Sequence, residues 1–382
     1  MTRELLEAAG AARPAMLEDL RGYVEHETPS DDRASLDRGL SWLDALVTER
    51  LGPPASSSTV DGGEHGDIRV LDWPGSASSA EPVLLLAHYD TVWPLGTLAE
   101  LPFAVEGDRI TGPGVFDMKA GLVQALWAVR IARAAGLALP PLRLVLNGDE
   151  ETGSPASRPV IEKAAVGARA GLVFEAAGPG GAVKTARKGV GIFSVHAEGV
   201  EAHAGLDPTA GVSAVDEMAR AVLALHAATD LDAGTSVNVG VVHGGTRRNV
   251  TAGRASADVD VRVAHATETA RIEQLLGGLT AHHPRARLRV TGEWNRPVME
   301  RTPATAALYE LAHDAAAAMG LDLAETAVGG ASDGNFVSAL GLGVLDGLGA
   351  VGDGAHARHE HATVSGLVER TALAAAVLHA LA

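Results

Sequence analysis

Residues 142–154 read LRLVLNGDEETGS, an apolar run of strand length closed by three acids, Asp149, Glu150 and Glu151. Two adjacent glutamates at a strand's C-terminal end can divide labour, one ligating a metal while its neighbour moves protons. Alone, such a pair is usually a solvated loop. Here it stands in a fixed order with HYDTVWP (88–94), GPGVFDMK (112–119), VFE (173–175) and GAH (354–356).

Outward from that stretch, IRVLDW (68–73), PVLLLAH (82–88) and AGLVFEA (170–176) read as further strands, with a helix expected over Ala120–Ala135. Near-continuous hydrophobic strands alternating with helices indicate an α/β fold with a buried, mostly parallel sheet. Such sheets place ligands at the C-terminal ends of their strands, where His88, Glu150, Glu151 and Glu175 fall. Helices are expected over Glu4–Tyr23 and Leu36–Leu51, with HETPSDD (26–32) as the turn between them; Ser76–Ala80 reads as a loop.

The pattern changes after Lys188. GIFSVHAEG (191–199) reads as a strand, 211–228 as a helix, SVNVGVVHG (236–244) and ASADVDVRV (255–263) as strands, 268–283 as a helix and ARLRVTGEW (286–294) as a strand. The order βαββαβ describes a ferredoxin-like split unit. Helix Thr305–Met319, strand GVLDGLG (343–349) and helix Ser365–Leu381 follow. The economical division is one domain from residues 1–186 and 298–382, interrupted by a second over 187–297.

The 382 residues are 46% hydrophobic and 21% charged, which argues against disorder. A formal charge of −17 opposes binding to nucleic acid or an anionic membrane. With no cysteine there is no disulfide, thiol nucleophile or thiolate metal site, so any zinc must use histidine and carboxylate. The N-terminal MTRELLEAAGAARPAMLEDL lacks the basic start and apolar middle of a secretory signal, and no run reaches the roughly 18 apolar residues of a membrane span. The expectation is a soluble cytoplasmic protein.

His88 and His356 are natural terminal ligands for two ions, Asp117 a natural bridge, and Glu151 and Glu175 complete the set. Asp90 is placed to accept the other imidazole N–H of His88. Each has a bland alternative: His88 as a buried hydrogen-bonded histidine, Glu175 as a surface carboxylate.

AHYDTVWPLGTL, GPGVFDMKAGL, NGDEETGS, VFEAAGP, the HAG at 203–205, GGASDGN and GAHARHE resemble, in that order, the motif series of the glutamate-carboxypeptidase branch of the dinuclear-zinc peptidases. That superfamily also holds aminoacylases, acetylornithine deacetylase and succinyl-diaminopimelate desuccinylase. The resemblance implies a zinc-peptidase sheet flanked by helices, with the insert as a lid and dimerisation domain. It makes His88, Asp117, Glu151, Glu175 and His356 the ligands of two Zn2+ ions, Glu150 the general base and Asp90 the supporting carboxylate. It places His203, Asn249 and Arg262 at the substrate, with His203 reaching the partner subunit of a homodimer. Arg296, Lys184 and Arg187 are further candidates for an acidic side-chain pocket. The implied activity is hydrolysis of an amide or peptide bond to an amino acid with a free carboxylate, glutamate-type favoured. N-acyl amino acid deacylation is the nearest alternative, and a non-catalytic metal-binding relative a more distant one.

Some positions depart from the pattern. Ala87 replaces a glycine, Ala357 and His361 stand where serine and tyrosine are typical, and GTRRNVTA (245–252) lacks a proline after its asparagine. His359 and His361 therefore compete with His356 as ligand. The GPG and GPGG segments read as loops at the metal-site rim and follow no phosphate-loop pattern.

Overall fold

The computed structural model describes residues 2–76 and 81–382; residues 77–80 of the expected Ser76–Ala80 loop lie outside them. The chain forms two compact units, one of Met1–Ala186, Arg301–Val328 and Ser332–Ala382, the other of Arg187–Glu300 and Gly329–Ala331.

The larger unit begins with helices α1 (Thr2–Glu25) and α2 (Arg33–Leu51), then strands β1 (Ser56–Val60), β2 (Ile68–Trp73), β3 (Val83–His88), β4 (Ala104–Glu106) and β5 (Arg109–Thr111). Helix α3 (Ala120–Ala134), β6 (Leu142–Asn147), α4 (Arg158–Ala165), β7 (Ala170–Val173) and β8 (Val183–Arg187) follow. The main sheet has the order β1-β2-β6-β3-β7, continued by a short strand, Val344–Leu345. β6, β3, β7 and that last strand run parallel, whereas β1 and β2 are antiparallel additions. All six residues of β3 are buried, as a strand covered on both faces requires. β1 is SSSTV and exposed throughout, a short polar edge that resists pairing with another chain. It carries no hydrophobic alternation, so nothing in its residue pattern announces a strand.

Helix α3 packs its apolar faces into the core through Leu122, Leu126 and Val129. A Cβ on Gly121 would stand 1.9 Å from the Phe174 carbonyl oxygen, so only glycine lets α3 approach the end of β7 so closely. That approach holds the chain where Glu175 leaves the sheet.

The smaller unit runs β9 (Gly189–Glu198), α5 (Ala214–His226), β10 (Ser236–Gly244), β11 (Arg254–Val263), α6 (Ala266–Gly278) and β12 (Arg287–Arg296). Its strands are antiparallel in the order β10-β11-β9-β12. Phe193, Val195 and Ala197 of β9 and Val259, Val261 and Val263 of β11 face Met218 and Leu225 of α5 and Ile272 of α6 in one core. The alternate residues, such as Ser194, His196 and Asp258, form the sheet's polar face, the period-2 pattern of a sheet packed on one side.

The larger unit resumes with α7 (Pro303–Met319), β13 (Glu325–Val328), α8 (Gly334–Ala339), β14 (the Val344–Leu345 strand), β15 (Gly352–Asp353), β16 (His361–Thr363) and α9 (Val364–Ala380). α7 starts two residues before the expected Thr305. The Thr302 hydroxyl caps the Thr305 N–H, and Pro303 occupies a first-turn position where a missing N–H costs nothing. β15, β16, β5 and β4 make a small separate sheet.

Candidate metal centre

Three parallel strands deliver the site. His88 is the last residue of β3, Glu150 and Glu151 lie in a short turn just after β6, and Glu175 follows β7 by two residues. Asp117 sits in the irregular turn Val115–Lys119 before α3, with non-helical backbone (φ −118, ψ 97) and a cis bond to Met118. His356 lies in the loop after β15 at φ +61.

These side chains converge. His88 Nε2 lies 3.4 Å from Asp117 Oδ1 and 3.4 Å from Glu175 Oε1. His356 Nε2 lies 3.4 Å from Asp117 Oδ2 and 3.1 Å from Glu151 Oε2. The two oxygens of Asp117 thus address two different histidines. Two overlapping groups, His88 with Asp117 and Glu151, and His88 with Glu150 and Glu175, each bring three ligand atoms within 4.8 Å of one another. His356, His359 and His361 belong to neither group, but of the three it is His356 that faces Asp117 and Glu151; the His359 carbonyl accepts Arg109 Nη2 at 2.9 Å, and His361 pairs with Thr111 in the small sheet.

The electrostatics call for a cation. Burial alone would lower the pKa of His88, but Asp117, Asp90 and Glu175 raise it well above its ordinary value. His356, beside Asp117 and Glu151, is raised to about 10. Burial would raise Asp117, yet facing His356 and His88 holds it far below the usual carboxylate range, while burial pushes Glu151 up to about 7. His88 Nε2 and Glu151 Oε1 are buried with no hydrogen-bond partner. Buried polar atoms left so are costly. Imidazole nitrogen and carboxylate oxygen are the donors zinc takes, so the residues present fit a metal pair.

Asp90 supports the cluster as a hub. Its carbonyl and Oδ1 lie 3.0 and 3.2 Å from His88 Nδ1, and its carboxylate accepts the backbone N–H groups of Glu150 (3.3 Å) and Glu151 (3.2 Å) and the Ser30 hydroxyl (2.8 Å).

Three further supports were not singled out from the sequence. Asp333, in GGASDGN, accepts Asn147 Nδ2 at 2.8 Å and the Ser154 hydroxyl at 2.5 Å, bracketing the turn that carries both glutamates. Lys119 is buried, which lowers its pKa to about 7, and donates to the carbonyls of Tyr23 and His26 at the end of α1. The buried Glu360 accepts Trp93 Nε1 and the N–H groups of Gly114, Phe116 and Asp117. Lys119 and Asp333 lie inside motifs already quoted. Glu360 stands among three histidines in HARHEH, which drew attention to the imidazoles instead.

In the smaller unit His203 and Asn249 are brought together: the Ala204 N–H donates to the Asn249 carbonyl at 3.0 Å, and His203 bridges to Val250. His203 Nδ1 accepts the N–H groups of Gly205 (3.2 Å) and Leu206 (3.1 Å). A neutral ring so held carries its proton on Nε2. Arg262 is engaged by Asp260, with Nε to Oδ1 and Nη2 to Oδ2 both at 2.9 Å. Register sets Arg262 and the buried Arg296 on either side of Val190 in one row of the sheet. Arg187 is also buried and donates to the Gly330 and Ala331 carbonyls, and the Lys184 N–H pairs with the Asp346 carbonyl.

A profile of the peptidase family M20/M25/M40 matches residues 84–380. The chain belongs to that family. It is a metal-dependent hydrolase. It is 28% identical over 383 residues to carboxypeptidase G2 of Pseudomonas sp. (strain RS-16), covering 98% of this chain and 91% of that protein. It is 31% identical over 219 residues to an acetylornithine deacetylase of Myxococcus xanthus, covering 53% of this chain and 55% of that protein. Its fold is similar to that of aminopeptidase PepT from Bacillus cereus ATCC 10987, with TM-score 0.81, 19% identity and coverage of 96% and 98% of the two chains. Among the described residues, no helix is long and apolar enough to cross a membrane.

Proposed function

We propose that this chain is a dinuclear-zinc metallocarboxypeptidase that hydrolyses the amide or peptide bond to a C-terminal amino acid with a free carboxylate, glutamate-type favoured. The observation that carries the reading is Asp117, whose two oxygens face His88 and His356 separately, as a bridging carboxylate would. His88 and Glu175 would hold one ion, His356 and Glu151 the other. The similarity to carboxypeptidase G2 along nearly the whole chain supports the carboxypeptidase reading.

Bound there, a zinc pair would lower the pKa of a water and polarise the scissile carbonyl. Glu150 takes the proton of the attacking water and passes it to the leaving amine. Asp90 orients the His88 ring and, through the backbone of Glu150 and Glu151, both glutamates. His203, with its proton on Nε2, and Asn249 donate to the developing oxyanion. Arg262 receives the substrate carboxylate, with Arg296 beside it in the same sheet row.

The same reading makes the smaller unit a ferredoxin-like lid that pairs two subunits, so that His203 serves the partner's metal site. Its strand order supports the first part. The second is supported by β10, an edge strand with exposed Val241 and Val242, beside exposed Val215 and Leu223 of α5.

An N-acyl amino acid deacylase is the second reading, favoured by the likeness to acetylornithine deacetylase. A mass-spectrometric turnover panel on zinc-loaded protein separates the two. Glutamate-terminated peptides and acyl-glutamates should turn over fastest. Preference for N-acetyl or N-succinyl amino acids without terminal glutamate would move the assignment to the deacylase.

A further inference from the structure

We propose that Glu360 is the positioning residue of the metal-binding segment, setting the Asp117 carboxylate through the backbone that carries it. This rests on the reading of Asp117 as the bridging ligand.

Glu360 is fully buried, and both its oxygens are used twice. Oε1 accepts the N–H groups of Phe116 at 2.9 Å and Asp117 at 3.1 Å. Oε2 accepts the Gly114 N–H at 3.0 Å and Trp93 Nε1 at 2.6 Å. One carboxylate therefore ties together HYDTVWP, GPGVFDMK and GAHARHE, the motifs that carry His88, Asp117 and His356.

The site demands a group that only accepts. Four donors converge on it, three of them main-chain N–H groups of a turn that a regular helix would have satisfied internally. Glutamine has nearly the same shape but would turn an NH2 toward one pair of those donors, leaving them unpaired. The same segment is anchored a second time by Lys119, whose Nζ donates to the Tyr23 carbonyl at 3.2 Å and the His26 carbonyl at 2.8 Å at the end of α1. The turn is thus held twice, by Glu360 through its main-chain N–H groups and by Lys119 through its side chain. None of the four donors to Glu360 is a side-chain atom of the cluster, so its effect passes through the backbone of Asp117.

The test is zinc affinity, measured by titrating zinc into the metal-stripped full-length protein against a chromophoric chelator, at a temperature where circular dichroism shows each variant folded. Glu360→Gln should weaken zinc binding about 10- to 100-fold, the usual effect of removing a group that orients a ligand. Trp93→Phe removes one donor to Glu360 but none from the Asp117 segment, and should change affinity less than about threefold. The cobalt-substituted Glu360→Gln protein should show an altered visible spectrum, because the bridge has moved. Wild-type zinc affinity in Glu360→Gln, with only the melting temperature lowered, would overturn the proposal and leave Glu360 a structural residue. If Glu360→Gln does not fold, Glu360→Asp, which keeps the charge but withdraws it by one methylene, must show the affinity loss instead; wild-type affinity there overturns the proposal as well. Wild-type protein that binds no zinc would sink the metal reading itself, a result distinct from either.

Discussion

His88 and His203 come from equally short motifs and lie in opposite surroundings. His88 is 2% exposed, with Asp90 on one ring nitrogen and Asp117 and Glu175 facing the other. His203 is exposed, with Nδ1 turned back onto its own loop. The larger unit spends buried strand ends on a dense cluster of acids and imidazoles that is incomplete without positive charge. The smaller unit offers exposed donors and a paired arginine that are complete until something docks. A ligand cluster must be preorganised against its own repulsion, whereas groups proposed to meet a substrate must stay open to water before binding.

If that contrast is right, the largest effects lie in the larger unit. Glu150→Gln should lower turnover about 10²- to 10⁴-fold while zinc content, read by elemental analysis, stays at the wild-type level. Glu151→Gln should lower zinc content instead, since Glu151 faces His356 and carries a buried oxygen without a partner. Equal zinc loss in both variants, with turnover surviving in Glu150→Gln, would exchange the two roles.

In the smaller unit, His203→Ala should cost about 10²- to 10³-fold in kcat with zinc untouched, the cost of one oxyanion donor. If His203 serves the partner subunit, an exchanged mixture of Glu150→Ala and His203→Ala chains regains about a quarter of wild-type activity, because half the dimers are mixed and each has one complete site. No regain, with exchange verified by native mass spectrometry, would place His203 at its own chain's site or at none.

The uneven legibility of the chain has a physical source. PVLLLAH and LRLVLNG are readable because strands buried on both faces are nearly continuous in apolar residues, the half-buried Arg143 being an exception, and both form central strands of the sheet. The gathering of His88, Glu151 and Glu175 is readable because strand ends in such sheets meet at one edge, whereas Asp117 and His356 lie on loops and only the family resemblance joins them to the set. β1 is not readable, because a polar edge strand looks like a loop. Glu360 is not readable either. Its partners are Trp93 and the N–H groups of residues more than two hundred positions away, and only the folded turn shows which N–H groups lack an internal acceptor. Arg262 shows the converse: its place on β11 is evident from alternation, but its pairing with Asp260 is not.

Arg262→Ala should weaken hydrolysis of free-acid substrates about ten- to hundredfold in kcat/KM, as expected for losing a hydrogen-bonded charge, and change carboxamide analogues little. An equal loss on both would mean that Arg262 supports the sheet and not the carboxylate.

The smallest effect is the most discriminating. Asp260 occupies the Nε–Nη2 edge of Arg262, and the pair is part-exposed, with side-chain accessibilities of 34% and 44%. Such a pair contributes at most about 1 kcal/mol, so removing its charge should cost little stability and alter binding less than about fivefold. In Asp260→Asn the side chain keeps its shape while the guanidinium loses its competitor. If Arg262 receives the substrate carboxylate on that edge, KM for free-acid substrates should fall by that modest factor, with kcat and the carboxamide KM unchanged. If Asp260 instead holds the guanidinium so that its other edge meets the substrate, free-acid KM should rise while the carboxamide again stays put. A shift of the same size on both substrates would detach Arg262 from the carboxylate and return it to the polar face of the sheet.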